Sequence, residues 1–289
     1  MEHALKVNGL CKRYPGFTLS DVSFGLERGA VMGFIGRNGA GKTTTIKLIM
    51  GLIRKDGGSV EVLGREIENG DSEARAKIGF VYDEHGFYGS MTVGSIGRMT
   101  AHFYINWNME EFARLVKEFG LNLSCKAEAL SRGQRTKLAL ALALSHGAEL
   151  LVMDEPTSGL DPVFRSELID ILYRVIQDER KSIFFSTHNT TDLERIADYI
   201  TFVEEGKIVF SESKDDLLER YRIVKGPRER LNDRGRKMCV GIREMRTGFE
   251  ALSATAEDLA AVLGKDVVVE KANLEDIMVY MVKGTGNGQ

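Results

Sequence analysis

The sequence predicts an α/β fold built on a largely parallel sheet, and three observations point to it. Short β-branched and apolar runs alternate with helix-period segments through most of the chain, the pattern of repeated βα units. One such run, VMGFI at residues 31–35, passes through the glycine-rich turn GRNGAGKT into a helical TTTIKLIMGLI. Another, LLVMDE at 150–155, is an unbroken apolar strand that delivers two carboxylates at its C-terminal end, the edge at which open α/β sheets bind ligands.

In chain order, ALKVNGL and LSDVSFGLE are expected as early strands, followed by VMGFI, the glycine turn and its helix. SVEVL (59–63) and KIGFVY (77–82) add two further short strands. From Met91 to Gly147 the character changes to helices with loops, so a helical insertion is expected over about residues 91–147. TVGSIGRMTAHFYINW and MEEFARLVKEFG are its first helices, the second with Phe112, Leu115, Val116 and Phe119 on one face. The run LALALAL (138–144) alternates with a strand's period of two, yet alanine, leucine and lysine are the best helix formers and Leu138 and Leu142 share a helical face. It is assigned to helix. Strand, helix and strand return in ELLVMDE, residues 163–178 and SIFFSTH.

Composition shifts at residues 225–237, KGPRERLNDRGRK, which hold six basic and two acidic side chains and one of the chain's four prolines. A short charge run of this kind is a solvated linker, or a contact for acidic headgroups or a partner, and a domain boundary is placed there. The expected organisation is a main domain over 1–224, a linker over 225–237 and a small α+β domain over 238–289. The last comprises a strand (MCVGI), a helix (AEDLAAVL), a strand (DVVVEK), a helix (LEDIMVYMV) and a disordered KGTGNGQ tail.

With 289 residues, 43% apolar and 28% charged, the chain has the make-up of an ordinary globular protein. Its formal net charge of -3 gives no global attraction to nucleic acid or acidic lipid. Cys11, Cys125 and Cys239 are odd in number and lack metal-ligand spacing, so they are expected as reduced packing residues. The start, MEHALKVNGL, has no basic-then-apolar leader, and no apolar run approaches the ~18 residues that cross a bilayer. The expectation is a chain neither exported nor membrane-spanning by itself.

GRNGAGKT matches the phosphate-binding pattern G-x-x-x-x-G-K-[ST] between a strand and a helix. Gly36, Asn38, Gly39, Ala40 and Gly41 let backbone N–H groups curl around phosphates at a helix N-terminus. Lys42 is placed to reach the β- and γ-oxygens, Thr43 to ligate Mg²⁺ and Thr44 to reach the α-phosphate. Downstream, Asp154 is placed to hold Mg²⁺ and Glu155 to polarise an attacking water. A glycosidase pairing of these two carboxylates would leave Lys42 and its glycines without a purpose. His188, ending SIFFSTH, is either a structural histidine or a sensor of the γ-phosphate. LSRGQ, at 130–134, offers no nucleophile, base or metal site of its own.

GRNGAGKTT, LSRGQ, LLVMDEPTSGLD and STH, in this order, make residues 4–220 similar to the ATP-binding cassette family, specifically to the ATPase subunit of a transporter. The resemblance implies a P-loop NTPase (RecA-like) core with an antiparallel β-subdomain and a helical subdomain. It implies two subunits, identical or different, stacked head to tail around two ATP molecules. By motif, Tyr14 in KRYPG matches the aromatic that stacks on adenine, although an aromatic covering a sheet edge would look the same. Ser131 and Gly133 match the signature residues that meet the partner's γ-phosphate, Asp161 the loop that communicates across the dimer, and His188 the switch histidine. The last part of the chain resembles, less specifically, the appended segment of some exporter ATPases.

What the resemblance implies as function is ATP hydrolysis that drives a transmembrane permease on a separate chain, with this subunit peripheral on the cytoplasmic face of the membrane and export as the direction. No nucleic-acid partner is expected. The alternatives are a family member acting on nucleic acid or ribosomes, and a stand-alone nucleotide-binding regulator. Two positions depart from the family pattern. Asp83, with Glu84 beside it, stands where glutamine is common, and is either an altered Mg²⁺ ligand or an acidic turn facing solvent. Arg132 replaces the commoner glycine of the signature, and either adds positive charge near the partner's ATP or faces water. Phe87, Tyr88 and Met91 are candidates for a partner socket or for buried core.

Overall fold

The computed structural model describes residues 2–67, 72–82 and 86–286, in two compact units that divide after Ser211. In the first unit, β1 (His3–Tyr14) and β2 (Phe17–Glu27) pair as an antiparallel hairpin. β3 (Val31–Ile35) is buried throughout and leads to α1 (Lys42–Ile49). β4 (Gly57–Val62) and β5 (Arg65–Glu66) then complete an antiparallel sheet of order β2-β1-β4-β5. α2 (Ser72–Ala76) and β6 (Ile78–Val81) follow, and then the helical stretch α3 (Val93–Ala101), α4 (Met109–Glu118) and α5 (Arg132–Ser145). β7 (Leu150–Asp154), α6 (Pro162–Val175), β8 (Ser182–Thr187), α7 (Thr190–Ile196), β9 (Tyr199–Glu204) and β10 (Lys207–Ser213) close the core.

The second sheet has the order β10-β9-β3-β8-β7-β6, with its strands from β9 to β6 parallel. β3, β7 and β8 are buried along their whole length, as parallel strands covered on both faces must be, which is why they read as apolar runs and not as alternations. The two sheets share a core in which Phe24, Phe34 and Phe184 pack with ring centroids 5.2 to 5.5 Å apart. The LALALAL run is helical in α5, where Leu138, Ala139, Leu140 and Ala141 are all buried. A helix covered nearly all round has no polar stripe, so its period was masked by the leucine and alanine alternation.

The first insertion helix is shorter than its sequence suggests. α3 stops at Ala101, because Tyr104 turns away to stack on His146 (4.0 Å, 10°) and Asn108 restarts the chain as the N-cap of α4, accepting from the Glu111 N–H. The β9–β10 hairpin has no counterpart among the sequence expectations.

The second unit contains α8 (Lys214–Arg220), β11 (Arg222–Pro227), α9 (Asp233–Lys237), β12 (Gly241–Glu244), β13 (Gly248–Ser253), α10 (Ala256–Leu263), β14 (Val268–Lys271) and α11 (Leu274–Gly286). Its antiparallel sheet runs β12-β13-β11-β14 over a core of Val224, Leu231, Phe249, Ala251, Leu259 and Leu263. Residues 225–237 are therefore not a linker. They supply the end of the inner strand β11, a 3-10 turn and α9, and Leu231 anchors them in the core. Their basic side chains find acids within the unit: Glu244 pairs with Arg228 (2.9 Å) and Arg236 (2.6 Å), and Asp266 with Arg230. α11 continues to Gly286, into the segment expected as a disordered tail. No helix among the described residues is long and apolar enough to cross a membrane.

Candidate nucleotide site

Register alone brings the catalytic candidates together. Ile35 of β3 lies beside Thr187 of β8, and Asp154 of β7 lies beside Ser186. The next residue of each strand, Gly36, His188 and Glu155, therefore leaves the sheet at one edge. A Cβ on Gly36 would run into the Val203 carbonyl, so the loop starts hard against β9. It closes at Gly41, whose φ of 111° is open to glycine and which caps α1. Ala40 N–H donates to Arg37 O (3.1 Å), and Arg37, Asn38 and Gly39 form the exposed crest.

Lys42 is only 6% exposed, and its ammonium is tightly held. Nζ donates to Gly36 O (2.9 Å) and Arg37 O (3.3 Å) and pairs with Glu155 Oε1 (3.2 Å). The other carboxylate oxygen of Glu155 lies 2.7 Å from His188 Nδ1, a geometry that favours the Nδ1–H tautomer. Glu155 thus links the lysine of the loop to the histidine of the next strand. Its backbone is held at φ 47°, with its N–H donating to Ser186 O and Oγ (3.1 Å each). That left-handed conformation costs a non-glycine residue roughly 1–2 kcal/mol, a strain found where a side chain must be aimed.

Asp154 is buried, and burial raises its pKa above the usual carboxylate range against the pull of hydrogen bonds from Ser186 and Thr43. The Ser186 hydroxyl donates to Oδ1 at 2.6 Å. Among the described residues no cluster of three His, Cys, Asp or Glu could hold a metal. The adjacent Thr43 hydroxyl and Asp154 carboxylate are hard oxygen donors of the kind Mg²⁺ takes from protein, the rest of its shell coming from phosphate and water. A carboxylate made reluctant to ionise by burial, and touching that hydroxyl, fits a bound cation. Ser186 is the residue that the sequence reading missed, and its one signal was a hydroxyl at the end of an otherwise apolar buried strand.

The signature residues are bound into helix starts. Ser131 is the N-cap of α5 in a reciprocal box, its Oγ accepting from Gln134 N–H (3.2 Å) while Gln134 Oε1 accepts from Ser131 N–H (3.0 Å). Gly133 is buried, and a Cβ there would overlap the Phe164 ring of α6, with Cζ 2.7 Å away. Asp161 caps α6 by accepting from Val163 and Phe164 N–H (3.1 and 3.0 Å), ahead of Pro162. The Arg132 guanidinium lies over Gly159 of the same turn. Tyr14 ends β1 half-exposed, with Lys12 Nζ 5.6 Å above its ring, while Phe17 and Leu19 pack toward Gly41. Thr44 is half-buried on α1. Asp83 and Glu84 lie outside the described residues. Tyr88 is exposed, and the half-buried Phe87 lines a groove of about 360 Å³ with Phe80, Tyr82, Tyr104 and Leu142.

Comparison with known proteins agrees with this architecture. The family model described as "ABC transporter" matches residues 19–158. The chain is 31% identical over 225 residues to the bacitracin transport ATP-binding protein BcrA of Bacillus licheniformis, covering 77% of this chain and 74% of that one. It is 32% identical over 214 residues to the lantibiotic transport ATP-binding protein SrtF of Streptococcus pyogenes, covering 73% and 91%. A solved ATP-binding subunit of an ABC transporter superposes with a TM-score of 0.66 at 29% identity, over 74% of this chain and 91% of that chain. With the phosphate loop, the strand-end carboxylates and the histidine converging on one sheet edge, the chain belongs to the ABC transporter family, as an ATP-binding, ATP-hydrolysing subunit.

Proposed function

We propose that two such subunits close around two ATP molecules and drive a transmembrane permease carried on a separate chain, in the direction of export. The observation that carries the catalytic reading is Glu155, held between Lys42 and His188 at the strand edge. With ATP seated, the Lys42 ammonium exchanges its loop carbonyls and Glu155 for the β- and γ-phosphate oxygens, which releases the carboxylate to accept a proton from the attacking water. His188 orients that carboxylate and faces the γ-phosphate. Thr43 and Asp154 would hold Mg²⁺, whose charge offsets that of the phosphates, and Asp83 is a further proposed ligand. Ser131, Gly133 and the 158–161 turn complete the second subunit's site, and Tyr14 stacks on adenine.

A role in transport is supported by the relatives: BcrA is named for bacitracin transport and SrtF for lantibiotic transport, which favours transport over action on nucleic acid or ribosomes. The groove beside Phe87, with Tyr88 exposed next to it, is the surface proposed for the permease, which would hold this subunit at the cytoplasmic face of the membrane.

Glu155→Gln tests the catalytic core. The variant should still bind ATP and Mg²⁺ while turnover falls on the order of 10²-fold or more, the usual worth of a positioned general base. Undiminished single-turnover hydrolysis would show that Glu155 is not the base. For the metal, Asp83→Asn should raise the Mg²⁺ concentration for half-maximal ATPase; an unchanged Mg²⁺ dependence removes Asp83 from the ligand set.

A further inference from the structure

We propose that Arg132, the residue that interrupts the signature's glycines, is a positioning residue that locks the signature and the 158–161 turn into one rigid face for the second subunit's nucleotide. The proposal rests on the two-subunit reading above. It also takes the second subunit to be a copy of this chain, since one chain carries the phosphate loop, Glu155, Ser131 and Gly133 and two copies make two complete sites.

Three contacts tie the start of α5 to the turn and to α6. The first is Arg132 itself. A Cβ on Gly159 would overlap its Nη1 and sit 3.1 Å from Cζ and 3.6 Å from Nε, so the guanidinium plane lies against the glycine's Cα. Gly159 holds φ +66°, a left-handed conformation that disfavours a side chain there and leaves the guanidinium room to approach. The second is Gly133 against the Phe164 ring. The third is Lys137, only 5% exposed, whose Nζ donates to Glu167 Oε1 (2.7 Å) and to Phe119 O (3.2 Å) and lies 4.6 Å above the same Phe164 ring. Lys137 and Gly133 fix the buried side of this joint, and Arg132 is the contact on its exposed side, where Ser131, Gly159 and Asp161 are also exposed.

A planar, delocalised guanidinium is suited to this task because it packs flat on backbone and still presents N–H donors at its edge; an ammonium cannot pack in this way. With Arg132 in place, Ser131 and the turn of Gly159 move as one surface. Without it the turn keeps its own backbone bonds, Ser158 N–H to Glu155 O and Leu160 N–H to Thr157 O, and the Asp161 cap, but loses its tie to the start of α5, and closing the dimer must fix that relation at the moment of contact.

The test uses the full chain in the Glu155→Gln background, with ATP and Mg²⁺, and measures dimerisation by sedimentation velocity across protein concentration. The parent Glu155→Gln should dimerise with ATP; if it stays monomeric, the sandwich of two copies is wrong and this proposal falls with it. If it dimerises, adding Arg132→Ala should weaken the dimer roughly tenfold, the scale of one lost guanidinium contact, with the melting curve unchanged. Arg132→Lys should remain nearly as weak as the alanine variant. In the otherwise native chain, Arg132→Ala ATPase should recover at high protein concentration, whereas general damage would lower it at every concentration. A dimerisation curve for Arg132→Ala superimposable on its parent overturns the proposal. So does full rescue by Arg132→Lys, which would mean that charge alone matters.

Discussion

His146 couples stability to pH at the joint between the signature helix and the sheet. It follows the last turn of α5, is 4% exposed, and stacks on Tyr104 with its Nδ1 3.1 Å from the Ala76 carbonyl. That carbonyl accepts, so Nδ1 carries the proton of the neutral ring, and a second proton would have to enter buried surroundings. Burial first, with the Lys181 charge added, pushes its pKa down to about 4 against the two carbonyl contacts. The unfolded ring titrates near 6.5, so between these values the unfolded state binds more protons and stability rises with pH. The contribution is fully present above pH ~6.5 and lost as pH falls toward 4. Over that window it totals about 3 kcal/mol, of which about 2 kcal/mol is gone at pH 5. Urea unfolding followed by the fluorescence of Trp107, the chain's one tryptophan, reports on this unit. His146→Asn keeps a donor for Ala76 O and removes the titration. The stability difference between parent and variant should therefore shrink by about 2 kcal/mol between pH 8 and pH 5. A constant difference across that range would refute the assignment.

Two other substitutions separate architecture from chemistry. Arg165→Met strands the buried carboxylate of Asp192, which now meets Arg165 Nε at 2.8 and 3.0 Å, and should cost on the order of 3–5 kcal/mol in urea unfolding, with Arg165→Met/Asp192→Leu recovering most of it. Gly133→Ala forces a methyl against Phe164 and should lower stability by about 1–3 kcal/mol; combining it with Phe164→Leu should restore the midpoint, and failure to do so would place the strain elsewhere.

The chemistry-bearing half of the fold was legible because its signals are local. A buried parallel strand is a short apolar run, and a phosphate loop is a strand, glycines, a lysine and a hydroxyl in succession, so β3, α1, β7 and β8 stand where VMGFI, TTTIKLI, LLVMD and SIFFST placed them. What escaped was decided between distant segments. Ser186 matters because register sets it beside Asp154, and no spacing within SIFFST reports that. α3 stops at Ala101 because Tyr104 finds His146, over forty residues away. The basic run at 225–237 looked solvated because its partners, Glu244 and Asp266, come from later in the chain, and a single leucine, Leu231, was too weak a periodic signal to mark it as folded.

LSRGQ shows how one pentapeptide is dictated twice. Within the chain, Ser131 and Gln134 close a capping box, Gly133 makes room for Phe164 and Arg132 covers Gly159, so the start of α5 needs these residue types before any ligand is considered. Yet the box satisfies only the N–H of Gln134 and of Ser131 itself, while Arg135 N–H returns to Ser131 O. Both N–H groups of the box stand at the positive end of the helix, where Ser131 is exposed. The packing that explains the motif inside one subunit therefore also fixes Ser131 and the start of α5 at the exposed surface proposed to meet the second subunit's nucleotide. A substitution at Arg132 leaves the capping box and the Gly133–Phe164 contact in place and removes only the contact with Gly159, so it can distinguish the two demands.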